Sequence, residues 1–322
     1  MYIICVESSN SRGMGHLFRA LLYIDYLKQH GMDFLLLVNN DLRSIQLLAN
    51  RKIKYSVVEF DDITSNWEKE IIQQYNVDVW INDKFETSWQ MGKHIKEANA
   101  LLCLIDDTGE GEMFADIHFA GMIYPTRRTV GGRYTFYGNQ YIILNPEIKL
   151  YRHRRNSLKK VVVSLGGSDP HGVTLEVVEE LKKHKYNADI IIGPNFAFRD
   201  ELEELNAGQF SVFQNVPSLI ATFKDYDLAI TGGGVTCCEA NAAGLPCIII
   251  ANAAHEENTG KYMESFGGCI YAGSYGKWNR KILASLNELN ISEMSSCGLR
   301  NFYLDSVERI MNTIDEIRKG NL

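Results

Sequence analysis

Short apolar segments alternate with helical segments along the chain, and this alternation limits the possible folds more than any other feature of the sequence. In the first half, the strand-like runs lie at 2–7, 34–38, 54–59, 77–81 and 101–105. The pattern restarts in the second half, with runs at 160–165, 188–192, 210–213, 228–230 and 247–250. Apolar strands that alternate with helices are typical of parallel sheets covered by helices on both faces. We therefore predict an α/β fold made of two Rossmann-like domains with parallel sheets.

The restart of the pattern divides the chain into two predicted domains. The stretch 145–158 separates the two series and carries a basic cluster at 152–155, which we interpret as part of a solvated linker rather than as a binding patch. The predicted domains are an N-terminal one at 1–150 and a C-terminal one at 151–322, with a ligand cleft between them. The last helix, near 306–318, is a candidate to pack back on the first domain.

Composition and charge disfavour several classes of protein. The 322 residues are 45% hydrophobic and 23% charged, as in an ordinary soluble globular protein, and the net charge of −7 disfavours a nucleic-acid partner. No apolar run reaches the length of a membrane span, and the first residues form a strand-like run rather than a signal peptide. Seven cysteines without a C-x-x-C pair indicate neither a disulfide framework nor a zinc site. We expect a cytoplasmic protein without stable membrane insertion, whose oligomeric state the sequence leaves open.

A turn of three glycines, at 232–234, joins the run 228–230 to a predicted helix. Glycine lets a backbone approach a ligand closely, and the N–H groups and positive dipole end of a helix favour an anion such as a diphosphate. Glu239 lies about five residues into that helix, roughly 7 Å along its axis, which is about the distance from a diphosphate to its ribose. A carboxylate there can accept hydrogen bonds from both ribose hydroxyls. On the glycines alone, an ordinary strand–turn–helix with a surface Glu is the commoner explanation.

A second glycine turn, with Gly13 and Gly15, follows the first strand-like run. It lacks the third glycine of a dinucleotide fingerprint, because Phe18 takes that position, so a nicotinamide enzyme is disfavoured. His16 lies at the mouth of this turn, where an imidazole can act as a general base near neutral pH. A histidine bonded to a backbone carbonyl explains the same position equally well.

A third glycine turn, with Gly166 and Gly167 followed by Ser168, comes after the run 160–165. It lacks the Gly-Lys-Ser/Thr ending of a P-loop, so ATP hydrolysis is not indicated. Each half of the chain therefore offers glycine turns at its strand ends, and this arrangement suits a ligand that two domains bind together.

Six motifs follow one another in a fixed order, at 13–19, 105–107, 141–147, 163–169, 192–194 and 230–246. Together they resemble the glycosyltransferase-B superfamily, and most closely the UDP-sugar hydrolases of the pseudaminic acid pathway. The motif at 230–246 also resembles the lipid-II-forming N-acetylglucosamine transferase. The resemblance covers nearly the whole chain and implies a nucleotide-sugar as the small-molecule partner, with no metal and no cofactor.

The resemblance implies three possible activities. The first is hydrolysis of a UDP-linked amino- or deoxy-sugar to free sugar and UDP, for nonulosonic acid or surface glycan biosynthesis. The second is a glycosyltransferase that moves the sugar to a glycan or protein acceptor, and the third is a non-catalytic nucleotide-sugar binder. The region 1–145 shows no basic, apolar patch of the kind that a membrane acceptor favours. We place the hydrolase ahead of the transferase, and His16 together with Glu239 argues against the binder.

The resemblance also implies roles for particular residues. His16 is then the base that activates water, and Asp83 matches an acidic residue after the fourth strand. Uracil is expected near 192–194 and Val216, the diphosphate at 232–236 and the ribose at Glu239. The candidate substrate-binding residues are Gly13, Gly15, Arg19, Phe85, Gly166, Gly167, Ser168, Gly193, Val216, Gly233, Gly234, Val235, Thr236, Glu239, Glu256 and Asn258.

Several positions depart from the hydrolase pattern. The hydrolases usually have Arg and Asp on the first strand, where this chain has Cys5 and Glu7. They usually have Tyr where we align Phe85, and Asn-Gln where this chain has His255 and Glu256. All of these positions are expected to contact the sugar or the diphosphate. The sugar can therefore differ from that of the hydrolases, or the acceptor can be a molecule other than water.

Overall fold

The computed structural model describes residues 1–8, 15–60, 66–122, 130–214 and 216–321. The chain folds into two compact units. Unit 1 consists of Met1–Ile143 together with Asp305–Leu322, and unit 2 consists of Leu144–Leu304. Each unit is built on one parallel sheet, so the predicted α/β class with two Rossmann-like domains is confirmed.

The sheet of unit 1 has seven strands in the order β3-β2-β1-β4-β5-β6-β7, and all its pairs are parallel. The strands are β1 (Tyr2–Val6), β2 (Phe34–Val38), β3 (Tyr55–Val57), β4 (Val79–Asp83), β5 (Leu101–Ile105), β6 (Ile117–Ala120) and β7 (Tyr134–Tyr137). The helices of its N-terminal part are α1 (Gly15–Gln29), α2 (Leu42–Asn50), α3 (Trp67–Gln74) and α4 (Trp89–Glu97). The strand order reverses between β1 and β4, and ligands of doubly wound sheets bind beyond the strand ends at such a point.

The first strand shows why both faces of this sheet are covered. Ile4 and Val6 contribute to one apolar core, which also contains the buried side of α1, whereas Ile3 and Cys5 contribute to a second core on the opposite face. Successive side chains of a strand point to opposite faces, so a strand that is buried on both faces must be apolar throughout. This explains the continuous apolar run from which the strand was predicted.

Strand β4 extends two residues beyond the predicted run 77–81 and includes two polar side chains, Asn82 and Asp83. Both are completely buried. Asn82 is satisfied there, because it accepts a hydrogen bond from Trp80 Nε1 at 2.8 Å and donates one to Thr87 Oγ1 at 2.8 Å. Asp83 is therefore the last residue of β4 and lies at the carboxyl edge of the sheet, where it pairs in register with Val6.

The sheet of unit 2 has six parallel strands in the order β10-β9-β8-β11-β12-β13. The strands are β8 (Val161–Ser164), β9 (Ala188–Ile192), β10 (Ser211–Gln214), β11 (Leu228–Thr231), β12 (Cys247–Ala251) and β13 (Cys269–Ser274). The helices are α5 (Ile148–Tyr151), α6 (Val173–Lys183), α7 (Arg199–Asn206), α8 (Leu219–Phe223), α9 (Val235–Ala242), α10 (Ala254–Ser265) and α11 (Ile291–Asn301). Its order also reverses at the centre, between β8 and β11.

The last helix, α12 (Ser306–Arg318), belongs to unit 1. Its buried side chains Ile310, Met311 and Ile314 join the core that contains α1. Tyr2 Oη on β1 donates a hydrogen bond to Asp315 Oδ1 at 2.8 Å. The core of unit 1 therefore includes a helix that follows unit 2 in the sequence.

The basic cluster at 152–155 is solvated in part, because His153 and Arg154 are exposed, but the interpretation from sequence is wrong for Arg155. Arg155 is only 2% exposed, and its guanidinium donates to the backbone carbonyls of His153, Phe223, Tyr226 and Ala243. Carbonyls at helix ends carry partial negative charge and favour a cation. Burial lowers the pKa of Arg155 to about 10, so this arginine is a structural cation of unit 2.

Among the helices of the described residues, none is both long and apolar enough to cross a membrane.

Candidate functional site

Two polar side chains of α1 point towards the end of β4 in unit 1. Because α1 begins at Gly15, directly at the carboxyl edge of the sheet, His16 and Arg19 lie in its first turns and share one helix face at a spacing of three residues. Both are 7% exposed, and Asp83 opposite them is completely buried. The structure thus brings together three of the residues that the sequence predicted for the site.

Asp83 is the centre of this cluster. His16 Nδ1 lies 2.6 Å from Asp83 Oδ1, and Arg19 Nη2 donates to the same oxygen. Arg19 Nη1 donates to Asp106 Oδ2 at 2.9 Å, so the guanidinium bridges two carboxylates. Asp106 follows β5 with a positive φ of 50° and accepts a further hydrogen bond from the Met122 N–H at 2.7 Å.

The charges of the cluster keep Asp83 ionised. Burial raises the pKa of its carboxyl, but the Arg19 charge and the hydrogen bond from His16 outweigh burial and hold the pKa below its usual value. For Arg19, burial lowers the pKa, and the charges of Asp83 and Asp106 raise it above its usual value. The cluster is therefore a largely buried arrangement in which Asp83 and Arg19 are both ionised.

An ionised Asp83 decides which nitrogen of His16 carries the proton. His16 Nδ1 lies 2.6 Å from the Asp83 Oδ1 atom and 2.9 Å from Arg19 Nη2, and Arg19 Nη2 also donates to Asp83 Oδ1. We assign the proton to Nδ1, because the ionised carboxylate is the nearer partner and can only accept. Nε2 is then the basic nitrogen, and it makes no hydrogen bond within the parts of the chain that the structure describes. This tautomer is the one that a general base requires.

Phe85 lies beside the imidazole. Its ring centroid is 4.6 Å from that of His16 with an interplanar angle of 81°, and the side chain is 40% exposed. A phenyl ring holds the imidazole by an edge contact but has no group that could orient water. Of the other residues predicted at this turn, Gly15 begins α1 and is exposed, and Gly13 lies outside the described residues.

The glycine turn of unit 2 lies between β11 and α9, as the sequence predicted for a strand–turn–helix. Gly234 is the N-cap of α9, and no side chain caps this helix within the described residues. Val235 and Thr236 form its first turn and are half-buried. Uncapped N–H groups at the positive end of a helix favour an anion.

Glu256 contacts this turn through its side chain and its backbone oxygen. Its Oε2 accepts hydrogen bonds from the Gly233 N–H at 3.1 Å and from the Asn252 N–H at 2.8 Å. A Cβ at Gly233 would lie 2.5 Å from the Glu256 backbone oxygen, so only glycine allows this approach. Asn258, also predicted to bind substrate, is exposed on α10. One amide of the predicted diphosphate site is therefore already bonded to a carboxylate of the protein.

Glu239 lies on α9 and is half-buried. Burial raises the pKa of its carboxyl to about 7, and a hydrogen bond from the Asn145 backbone N–H acts in the opposite direction. A carboxyl with this pKa changes between its neutral and ionised forms near neutral pH, which ordinary surface glutamates do not do.

The turns after β8 and β9 meet at the same edge of unit 2. A Cβ at Gly193 would lie 2.3 Å from the Gly167 oxygen, and Asn252 Nδ2 donates to the Leu165 oxygen at 3.1 Å. Gly166 has a φ of 93°, which a glycine adopts without strain. The predicted residues at these ends are Gly166, Gly167 and Ser168 after β8, Gly193 after β9 and Val216 beyond β10.

Two features of the site carried no clear signal in the sequence. Asp106 was part of a recognised motif but had no predicted role, although consecutive acidic residues directly after a buried strand suggest one. The bond from the Asn145 N–H to Glu239 involves a backbone donor and has no residue signature at all. Within the described residues, no group of three or more His, Cys, Asp or Glu side chains could hold a metal ion.

No protein-family model matches the chain. It is 27% identical over 271 residues to an uncharacterized protein of Methanocaldococcus jannaschii, and the match covers 77% of this chain and 54% of that protein. The chain thus spans about half the length of this relative. It is 22% identical over 294 residues to the spore coat polysaccharide biosynthesis protein SpsG of Bacillus subtilis, with 84% and 83% covered.

Solved structures show a closer likeness in fold than in sequence. MurG of Acinetobacter baumannii has a TM-score of 0.73 at 13% identity, with 98% of this chain and 99% of that chain covered. HepE of Anabaena, solved in complex with UDP, has a TM-score of 0.67 at 14% identity, with 98% and 100% covered. The chain has the glycosyltransferase-B fold, as the sequence predicted.

Proposed function

We propose that the protein cleaves a UDP-linked sugar, with the general base in unit 1 and the nucleotide-binding residues in unit 2. The observation that carries this proposal is the buried cluster of His16, Asp83 and Arg19, in which the ionised carboxylate contacts Nδ1 of His16 and leaves Nε2 as the basic nitrogen. The relatives support it, because SpsG is named for polysaccharide biosynthesis and HepE was solved with UDP bound. The substrate class is an amino- or deoxy-sugar destined for nonulosonic acid or surface glycan biosynthesis.

In the hydrolysis that we propose, His16 Nε2 takes a proton from water as the water oxygen attacks the anomeric carbon. The bond between this carbon and the diphosphate oxygen breaks, and UDP leaves with the electron pair. Asp83 stabilises the imidazolium that forms, since its carboxylate accepts from Nδ1–H at 2.6 Å. General-base catalysis of this kind contributes about 10²–10⁴ in rate.

Arg19 is a positioning residue in this proposal. Its guanidinium donates to Asp83 and to Asp106, and it keeps the Asp83 carboxyl ionised. Without this charge, burial would favour a neutral Asp83, which could no longer hold Nδ1 in its protonated form.

In unit 2, Glu239 accepts from the ribose hydroxyls and the start of α9 carries the charge of the diphosphate. The remaining amides at Gly234, Val235 and Thr236 are suited to the leaving group, because the Gly233 N–H is bonded to Glu256. Gly193 and Val216, which follow neighbouring strands, remain our candidates for the uracil side.

One observation favours a glycosyltransferase as the second candidate. The half-exposed Phe85 ring lies against His16, where a tyrosine could orient water and a phenylalanine cannot. If the acceptor is a sugar hydroxyl rather than water, His16 Nε2 takes the proton of that hydroxyl and the remaining steps are unchanged.

The test is the release of UDP from a panel of UDP-amino-sugars without acceptor. We expect His16→Ala to lower the rate by about 10²–10⁴ and to leave UDP affinity nearly unchanged, because the imidazole acts in the transition state. His30→Ala is the matched control, since His30 is exposed beyond the end of α1. Absence of UDP release from every donor, with or without glycan acceptors, would rule the proposal out.

The same assay separates the two candidate reactions. A hydrolase releases UDP without an acceptor, whereas a transferase releases it slowly and is accelerated by its acceptor. Phe85→Tyr should raise acceptor-free release if a group that orients water is the missing element.

A further inference from the structure

Helix α1 carries a third polar side chain on the face that holds His16 and Arg19. Tyr23 lies four residues after Arg19, one turn further along the helix. It is completely buried in the apolar core that contains α1. Its hydroxyl makes no hydrogen bond with any residue that the structure describes. Because a buried hydroxyl without a partner costs free energy, this group requires a partner that the surrounding side chains do not supply.

Two further atoms of the His16 cluster are in the same situation. Asp83 Oδ2 and Arg19 Nε are buried, and neither has a hydrogen-bond partner within the described ranges. The other carboxylate oxygen, Asp83 Oδ1, accepts a hydrogen bond from Arg19 Nη2. Oδ2 and Nε belong to the same two planar groups as these bonded atoms, so they lie beside that hydrogen bond.

The hydroxyl of Tyr23 faces the Asp83 carboxylate. Burial raises the pKa of Tyr23 well above its usual value, and the charge of Asp83 is the next largest cause. A carboxylate has this effect on a neighbouring acid because two negative charges close together are unfavourable. Tyr23 Oη, Arg19 Nε and Asp83 Oδ2 therefore lie around one buried position beside the carboxylate.

The chemistry of these three atoms identifies the missing partner. The hydroxyl of Tyr23 and the Nε–H of Arg19 are donors, whereas Asp83 Oδ2 is an acceptor. A cation cannot accept from the two donors and is repelled by Arg19, and an anion cannot donate to the carboxylate and is repelled by it. A water molecule accepts two hydrogen bonds and donates one, and about three hydrogen bonds are typical of buried water in proteins.

We propose that one water molecule is bound between Tyr23 Oη, Arg19 Nε and Asp83 Oδ2, and that Tyr23 is a positioning residue for Asp83. The water holds one oxygen of the carboxylate, while the other oxygen contacts His16 Nδ1 at 2.6 Å. It is not the attacking water, because it lies on the Nδ1 side of the imidazole and not at Nε2. The water site is independent of the reaction, whereas the positioning role of Tyr23 rests on the proposed function.

The stability of Tyr23→Phe, which removes the hydroxyl and keeps the ring, tests the water site. If the hydroxyl is bonded to water, its loss should raise the equilibrium constant of unfolding about fivefold in urea titrations. If the hydroxyl has no partner, its removal should instead stabilise the protein, because an unsatisfied buried group is lost. Tyr26→Phe is the matched control on the same helix, since Tyr26 Oη donates to Asn312 Oδ1 at an exposed position, and should change stability little. A Tyr23→Phe protein as stable as the unmodified one, or more stable, would refute the water site.

A crystal structure of the unmodified full chain, at a resolution that shows ordered water, tests the same site without any variant. We expect electron density for one water within hydrogen-bond distance of Tyr23 Oη, Arg19 Nε and Asp83 Oδ2. This measurement decides the question even if Tyr23→Phe does not fold. A direct hydrogen bond from Tyr23 Oη to Asp83 Oδ2, or density that shows no water between the three atoms, would contradict the proposal.

Kinetics test the positioning role. The titratable and charged groups that face Asp83 are His16, Arg19 and Tyr23 on α1, Cys103 on β5 and Asp106 beyond β5. Burial raises the pKa of Tyr23 and of Cys103 well above their usual values, so both stay neutral in the range of the assay.

We expect Tyr23→Phe to lower kcat for UDP release about tenfold and to leave KM nearly unchanged, because the hydroxyl does not contact the substrate. The acid limb of the kcat/KM profile should move to higher pH, since a carboxylate with one hydrogen bond fewer attracts the protonated imidazole more strongly. A merely structural role of Tyr23 would change stability and leave this pH profile in place. Unchanged kcat and an unchanged pH profile would overturn the positioning role. Absence of UDP release from the unmodified protein would contradict the proposed function, and the stability and crystallographic results would still decide on the water site.

Discussion

The carboxyl of Glu239 links nucleotide binding to pH. In the proposed role it accepts from ribose hydroxyls, and the ionised form is the better acceptor because a protonated carboxyl uses one oxygen as a donor. Since burial raises the pKa of Glu239 to about 7, the ligand-free protein carries this group partly protonated at neutral pH. Binding must then release a proton, so the affinity for UDP should rise with pH.

The size of the effect follows from this pKa. With a pKa of about 7, the ionised fraction rises from about a tenth at pH 6 to about nine tenths at pH 8, so the affinity should increase about tenfold, or ~1.4 kcal/mol. The stability of the ligand-free protein should change in the opposite direction. A carboxyl with a raised native pKa favours folding at low pH, and this contribution is lost as the pH rises through about 7.

Isothermal titration of UDP at several pH values, in buffers of different ionisation enthalpy, measures both the affinity and the proton release. UDP itself has a phosphate that titrates nearby, so the decisive quantity is the difference between the unmodified protein and Glu239→Gln, in which the pH-dependent step should disappear. The control Glu201→Gln, at an exposed position on α7, should keep the pH-dependent step in UDP affinity. Identical pH profiles for the unmodified protein and Glu239→Gln would refute the assignment of Glu239 to the ribose.

Two further changes test the structure at other points. Asp83→Asn should lower turnover by about 10²–10⁴, because a neutral amide no longer stabilises the protonated Nδ1 of His16 by its charge. The measurement is kcat, with Asp25→Asn at an exposed position as the control. Equal kcat values for the two variants would remove Asp83 from the mechanism. Ile314→Ala should destabilise unit 1 by about 2–5 kcal/mol, since this side chain is completely buried in the α1 core. Urea unfolding measures that loss, and the 69% exposed Leu42→Ala should show almost none.

Most of the strands that the sequence revealed are buried on both faces, and the short edge strands β3 and β10 are the exceptions. Strands β1, β5 and β12 are continuous apolar runs, because each side of the strand packs on a core. Strands β6, β7 and β13 were not predicted. Strand β6 is completely buried, but it has only four residues and one of them is His118. Strand β7 is at the edge of its sheet and its residues are mostly half-exposed, and β13 contains Gly273 with a φ of 121° and has only two buried positions. Such strands have no apolar run to recognise.

The candidate site was predictable in its individual residues but not in its contacts. His16 and Asp83 are 67 positions apart, and only the resemblance to known enzymes connected them before the structure placed Nδ1 beside Oδ1. Nothing in the sequence indicated that Glu256 would bond to the Gly233 N–H, because backbone donors have no residue signature.

The position of α12 has a consequence for the order in which this protein can form on the ribosome. Unit 2 is one continuous stretch of chain, so its core can close as soon as residues 144–304 have been synthesised. Unit 1 begins first but lacks Ile310, Met311 and Ile314 until the final helix is made. Domains at the N-terminus commonly fold first during synthesis, but here the core of unit 1 is complete only after α12 has been made. A nascent unit 1 therefore exposes part of its apolar core for longer than unit 2 does, and a truncation before residue 305 would first affect the unit that contains His16.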